Sequence, residues 1–504
     1  MTQWIADELV KIAQTIDKLN MIKSVTYLLV VLPLVTVSLV HGAGAATHHA
    51  ADCTSGEIQQ AINKASDGDV VSVPACSPES WDEDVIVPDT KGITLQGAGN
   101  TSTMIMLNGQ TLYVHTSSAR QPVRVTGMQF TPTTTAPAIV ITGTAQNWRV
   151  DHNIFDNARA GGEASTIEVG GTGASGESFN YGVIDNNRFI NRDNDTSIFV
   201  EWPRGDLDNV TPGDWIWSQP PQRGTAQAVY IEDNFFEGND RASQVVDSRW
   251  GAKYVLRYNI IHNPWISTHS GCTNGGRNSI WTEIYRNKFT DDENYYGGNS
   301  IEMRSTSGVV WSNTATTPLQ KFTIGIDHER SWRENCSVPY SLQCDGSRSF
   351  DENAGANGYR CLGQPGWGQP QVSDMSAATF SGVFNWGNSD GGVNVDMVIV
   401  EVEKTPEETP DYTKDHIKAG REVFNSADMT VGLREDRPLS CSVGPRRSVY
   451  VSTDEHEQEN TPTLYVCTAA GTWTKHWEPY RYPHPLRSTS RPDAPTNLQI
   501  EGMR

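Results

Sequence analysis

Short runs of alternating apolar and polar residues recur along most of this chain, and many end in an asparagine two positions ahead of a Phe or Ile. The clearest are residues 148–155, 182–189, 230–236, 255–261, 283–289 and 309–314, with their asparagines at Asn153, Asn187, Asn234, Asn259, Asn287 and Asn313. The last four are spaced by 25, 28 and 26 residues, and loop-like inserts fill the wider gaps before them. Strand-forming units at a period of roughly 20–50 residues predict a solenoid, because one such unit cannot bury its apolar side chains alone but stacked units share a core. A corner repeated in every turn calls for a residue tolerant of the left-handed conformation, and asparagine is expected to fill it and to bond along the stack. The Phe or Ile two positions on is expected to point inward. These asparagines therefore read as structural.

The flanks follow the same logic. Ile58, Ala61, Ile62 and Ala65 are spaced as one face of a short helix, followed by an Asp67-Gly-Asp69 turn and a strand at 70–74. Alternating strands ending in glycine follow at 92–99 and 123–130. Beyond about residue 315 the repeat degrades. Residues 330–370 read as a Cys/Gly/Ser/Asn-rich loop, 383–388 as a further rung, 397–403 as a strand, 411–424 as a helix and 449–475 as a small hairpin unit.

The helix, the phrase Asp67-Gly-Asp-Val-Val-Ser-Val-Pro74, the strand at 92–99 and the Asn-x-Phe rungs together resemble right-handed parallel β-helix proteins of the pectin-lyase-like superfamily. The ending Glu478-Pro-Tyr-Arg-Tyr-Pro-His-Pro-Leu486 is similar to endings of secreted bacterial β-helix proteins. The resemblance covers residues 52–400 and, more loosely, runs to 486. It implies an all-β, right-handed parallel β-helix with a short N-terminal capping helix and a small C-terminal β-rich extension (401–486), then a linker-like tail at 487–504. The superfamily includes lyases, hydrolases, tailspikes and adhesins, so the fold alone does not select a chemistry.

Composition narrows the partners. The 504 residues carry a formal charge of −21 with no Lys/Arg-rich run, which excludes a nucleic-acid surface. Residues 21–46 pattern as an export signal: Met21-Ile-Lys, an apolar run at 25–40 and Ala43-Gly-Ala45. The run is shorter than the roughly 20 residues of a membrane span, so stable membrane insertion after cleavage is not expected, and a secreted or cell-surface location is. Residues 1–20 read as an extension from an upstream start codon. Eight cysteines suit an oxidising compartment, with Cys53–Cys76 the first expected pair, Cys441 and Cys467 a second, and Cys336, Cys344 and Cys361 crowding one segment.

Candidate chemistry comes from aligning the inward aliphatic of the strand that precedes each corner. Period-two alternation then sets two outward columns. One is Glu168, Phe199, Asp247, Ser267 and Glu302; the other is Gly170, Glu201, Arg249, His269 and Arg304. Such a line is either mutual ion pairing or a groove. Polysaccharide β-elimination needs a uronate carboxylate neutralised, a base for the C5 proton and an acid for the leaving oxygen. Arg249 or Arg304 suits the first task and His269 the second, with Asp247 and Glu302 contacting substrate. Ca²⁺ held by Glu201, Asp247 or Glu302 could replace one arginine. Trp202, Trp215 and Trp217, in the insert between two rungs, offer indole faces to sugars. Lys253 could serve as a base but, as the residue opening the next strand, reads as a solvated lysine. The acidic turns at 193–195 and 291–293 fit no Ca²⁺ loop motif. Two other readings remain open: a non-catalytic adhesion or glycan-binding protein, and a glycoside hydrolase of the polygalacturonase type using Asp247 and Glu302.

Overall fold

The computed structural model describes residues 45–157, 165–170, 180–192, 196–201, 221–238, 244–249, 251–268, 279–290, 300–315, 322–327, 365–368, 379–400, 417–444 and 446–488. Each turn of the chain lays down three short strands, and parallel pairing of successive turns builds three long sheets. Lys253–Arg257 lies in the first sheet, Ile260–His262 in the second and Ile266–Ser267 in the third, and the next turn starts at Trp281–Tyr285 in the first again. Among the described residues the sheets hold 12, 11 and 10 strands, paired rung to rung in sequence order except that the last of the 11, Val393–Asn394, is an antiparallel hairpin strand. The fold is a right-handed parallel β-helix. The helix Ser55–Lys64, capped by Thr54, buries Ile58, Ala61 and Ile62 against the first turns.

Inward side chains from all three sheets make one continuous core. Phe130, Phe155, Phe189 and Phe236 stack face to face with centroids 5.6, 4.9 and 4.7 Å apart, and the last three are the inward row expected two positions after Asn153, Asn187 and Asn234. The asparagines themselves form a ladder. The amide of Asn153 donates to Asn187 Oδ1 at 3.1 Å, and the pattern repeats through Asn234, Asn259, Asn287 and Asn313 to Asn388. Each Oδ1 also accepts the backbone N–H of the preceding asparagine, as Asn287 does from Asn259 at 3.0 Å. One expectation is corrected: the left-handed residue is not the asparagine but the one before it. His152, Asn186, Asp233, Tyr258, Arg286 and Ser312 have φ of 56°, 53°, 55°, 58°, 55° and 53°. These residues carry the strain of the corner, and the asparagines from Asn153 to Asn287 then close it with bonds to two backbone carbonyls each, Ile231 and Arg257 in the case of Asn259.

The C-terminal part also departs from expectation. Residues 417–424 form turns and the strand Val423–Phe424, which pairs with Val383–Phe384 as the last strand of the first sheet, so their described part is not the expected helix. Thr430–Gly432, Val449–Ser452, Thr463–Ala469 and Thr472–Trp477 form a separate four-stranded sheet, tied by Cys441–Cys467 as Cys53–Cys76 ties the N-terminal turns. It covers the outer face of the first sheet, where Tyr285, Trp311 and Trp386 stack at 5.3 and 5.8 Å and Trp477 meets the last two edge-on.

The segment after that sheet is anchored by charge. Along the first sheet's outer face, Arg124 meets Asp151 at 2.6 Å, Arg149 meets Asp185 at 2.7 Å, and Arg257 meets Glu232 at 2.6 Å. Arg487 bridges the row, 3.2 Å from Asp185 and 2.9 Å from Glu232, and also bonds Asp233. Arg257, fully buried, donates to the Tyr480 and Arg481 carbonyls at 2.7 and 2.9 Å. Burial raises the pKa of Asp151, but hydrogen bonds from Arg124 and His152 and the charge of Arg149 outweigh it and hold the carboxyl below its usual range. Glu232 is held low in the same way, burial being overcome by Arg257, the His484 N–H and Arg487.

Two outcomes follow from this packing. Asn259→Ala removes donors and an acceptor from a buried ladder, and urea unfolding is expected to show a loss of about 2–4 kcal/mol. Arg487→Ala removes one of the two guanidinium groups that meet each of the buried acids Asp185 and Glu232, with an expected cost of about 3–5 kcal/mol at pH 7. Of the buried acids that Arg487 meets, Glu232 is held below its usual range while burial pushes Asp185 up; the Glu232 contribution is complete above the unfolded value of about 4 and is lost as pH falls through the lower folded value. The gap between Arg487→Ala and the unaltered chain should therefore narrow in melts below about pH 4.

Candidate functional site

The third sheet's outer face carries the two columns. Glu168 pairs with Phe199, Phe199 with Asp247, Glu201 with Arg249, Ser267 with Glu302 and Arg304 with Asp327, so the register is the one the alternation implies. The gap at Gly170 has a steric cause. At φ 107° a Cβ there would lie 1.5 Å from the Glu201 carbonyl oxygen, so the second column begins with a residue that can have no side chain.

Arg249 ends the strand Gln244–Arg249 with its side chain 39% exposed. Its guanidinium lies 5.0 Å from the Phe199 ring centroid and 3.8 Å from Asp247 Oδ2, with the Asp247 carboxylate itself buried. Arg304 is held more closely. Its Nη2 is 2.5 Å from Glu302 Oε2 and its Nε 3.9 Å from Asp327 Oδ2, while its backbone N–H donates to the Thr268 hydroxyl at 2.8 Å. The indole N–H of Trp265 reaches the same Glu302 oxygen at 3.4 Å. The carboxylate–guanidinium pairs of this face are thus mutual, the arrangement that competes with a groove.

Lys253 is corrected. It opens the strand Lys253–Arg257 after a turn closed by the Ala252 N–H on the Arg249 carbonyl at 3.1 Å, with Gly251 at φ 81°. It is not solvated: only 3% of the residue is exposed, and its ammonium sits 4.9 Å from the Tyr181 ring centroid. Burial disfavours the charged form and brings the amine down to about 7. The turn sets this lysine at the edge where Arg249 leaves the third sheet. Sequence reasoning lacked a signal for its burial, because alternation says only that Lys253 faces outward, not what covers it. Phe199 and Asp327 were missed as partners of the arginines, although their column positions were open to the same alignment.

His269, Trp202, Trp215 and Trp217 lie outside the described residues, as do the cysteines Cys336, Cys344 and Cys361 and the acidic turns at 193–195 and 291–293. Of the residues expected to hold Ca²⁺, Glu201 is buried and Asp247 and Glu302 each lie against an arginine. Among the described residues no three His, Cys, Asp or Glu side chains are grouped to hold a metal ion.

Comparison with known proteins adds little. No family model matches the chain. No curated protein matches it either. Among solved structures, an alginate lyase from Paenibacillus sp. str. FPU-7 is similar at 12% identity with a TM-score of 0.33, over 54% of this chain and 95% of that one.

Proposed function

We propose that the chain is a secreted polysaccharide lyase that cleaves a uronate-containing polymer by β-elimination at the corner where the outer face of the third sheet turns into the first. One observation carries the reading: a buried amine brought down to about 7 stands one tight turn from a half-exposed guanidinium. Arg249 is the group that receives the uronate carboxylate, drawing charge away from C5 and making its proton acidic. Lys253, neutral in a large fraction of molecules near pH 7, takes that proton. The C5–H electron pair becomes the C4=C5 double bond, the C4–O bond breaks, and the departing oxygen takes up a proton. His269, the residue after Thr268, stays in the reading as the second proton carrier. Arg304, spoken for by Glu302 and Asp327, supports the groove wall and adds positive potential. Asp247 and Glu302 orient the arginines and accept sugar hydroxyls, with Trp202, Trp215 and Trp217 as further sugar contacts. Export accords with the two disulfides, which form in oxidising compartments.

A second reading has its own support. The close pairing of Arg304 with Glu302 is what a stable non-catalytic rod would carry, and a glycan-binding protein would use the same face without Lys253.

The test is incubation with a panel of uronate polymers, with and without a chelator, following absorbance of the unsaturated product. Arg249→Ala and Lys253→Met are each expected to cut kcat/KM by about 10²–10⁴-fold, and Arg304→Ala by less. Saturable binding with no product from any polymer would select the second reading. New reducing ends without the absorbance would mean hydrolysis. The rate should also report Lys253 directly. The reactive form is the neutral amine, so kcat/KM should climb as pH rises through about 7 and level off above it, a limb absent from the residual activity of Lys253→Met.

A further inference from the structure

The same outer face continues toward the N-terminus, and its chemistry changes along the way. In register with Asp247 stand Phe199, then Glu168, Val140, Tyr113 and Ile86. Tyr113 and His115 are half-buried with rings nearly parallel, centroids 6.1 Å apart and planes at 13°. His115 Nδ1 meets the Thr142 hydroxyl of the next rung at 2.7 Å, which fixes the imidazole plane. Ile86, 42% exposed, extends the apolar surface by one more rung. Tyr113 to Asp247 is four rungs, about 19 Å at the spacing of parallel strands.

We propose that Tyr113, His115 and Ile86 form a distal subsite that takes the apolar face of a sugar ring and does not select for its carboxylate. The inference rests on the polysaccharide reading of this face and adds which part of the polymer lies where. Three observations carry it. The platform is continuous, rung by rung, with the face that holds Arg249. Its groups suit a sugar's C–H face, since aromatic planes offer large apolar area and an edge that still hydrogen-bonds. The third is charge: between Ile86 and Glu201 these two columns contain no Lys or Arg, while Glu168 places a carboxylate there with Ser165 as its donor. A uronate carboxylate finds no Lys or Arg on those rungs, whereas a sugar hydroxyl finds an acceptor. The occupant is the uncleaved arm of the acidic polysaccharide, with a neutral residue bound at the platform as well as a uronate.

Calorimetric titration tests this with a uronate trimer, a uronate hexamer, and hexamers chemically reduced to the neutral sugar at one end or the other. The full chain is used unaltered and with Lys253→Met, which prevents turnover from blurring the isotherm. The hexamer is expected to bind more tightly than the trimer. Tyr113→Ala should weaken the hexamer about five- to tenfold and leave the trimer unchanged, while Tyr113→Phe keeps hexamer affinity because the ring face, not the hydroxyl, binds. Reducing one end should leave affinity intact, and reducing the other should weaken it. The subsite is overturned if Tyr113→Ala binds the hexamer like the unaltered chain, if it weakens trimer and hexamer alike, if either end reduction weakens equally, or if no probe binds. Tight hexamer binding without unsaturated product would remove the lyase reading and leave the subsite standing.

Discussion

The asparagine ladder is the constraint on which the rest of this molecule depends. Parallel strands joined by long inserts can slip, and a slip of one residue turns every inward side chain outward. Here each turn is pinned at one corner by a buried amide that donates to the next turn and accepts from the previous one. Fixing that corner fixes the register of all three sheets. The phenylalanine stack beside it then follows, because a residue two positions past a fixed asparagine has only one face to occupy. The outward columns of the third sheet follow as well, since period-two alternation propagates the same register around the turn.

Two polar lines run up this coil, and their fates differ because of what lies over them. The line on the first sheet, from Arg124 to Arg257, is sealed under the small C-terminal sheet and the segment ending at Arg487. There a charge without its partner would be very costly, so acids and bases alternate at 2.6–3.2 Å. The line on the third sheet leaves Arg249 open to solvent on one side. Similar residues make a docking lock in one place and a candidate binding face in the other, and burial decides which.

Local pattern explains what was legible in the sequence. The rung spacing, the inward phenylalanines, the capping helix, the register of both columns and the pairs Cys53–Cys76 and Cys441–Cys467 all depend on neighbours in the chain or on a repeated phrase. What was not legible depends on distant contacts. Nothing around Glu232 announces Arg487, which is 255 residues away. The segment 417–424 has a helix-like composition, but pairing with Val383–Phe384 overrides it, as tertiary context does for weak propensities. The misplaced left-handed residue is instructive in another way. Asparagine tolerates that conformation, but its amide is worth more in the ladder, so residues as unsuited as Tyr258 and Arg286 take the strained position.

For an acidic chain to bind a polyanion, its cations must be concentrated where the ligand meets it. The two arginines of the third sheet differ in how they are committed. Arg304 is fixed by Glu302, Asp327 and the Thr268 hydroxyl, with only 13% of its side chain exposed, so a substrate carboxylate would have to compete with acids already in place. Arg249 rests on an aromatic face and stands 3.8 Å from Asp247, beyond a close hydrogen bond, with 39% of its side chain exposed. Stacking on Phe199 orients the guanidinium without using its donors. The amine of Lys253, four residues further along the chain, is kept from full protonation by burial and remains able to accept a proton.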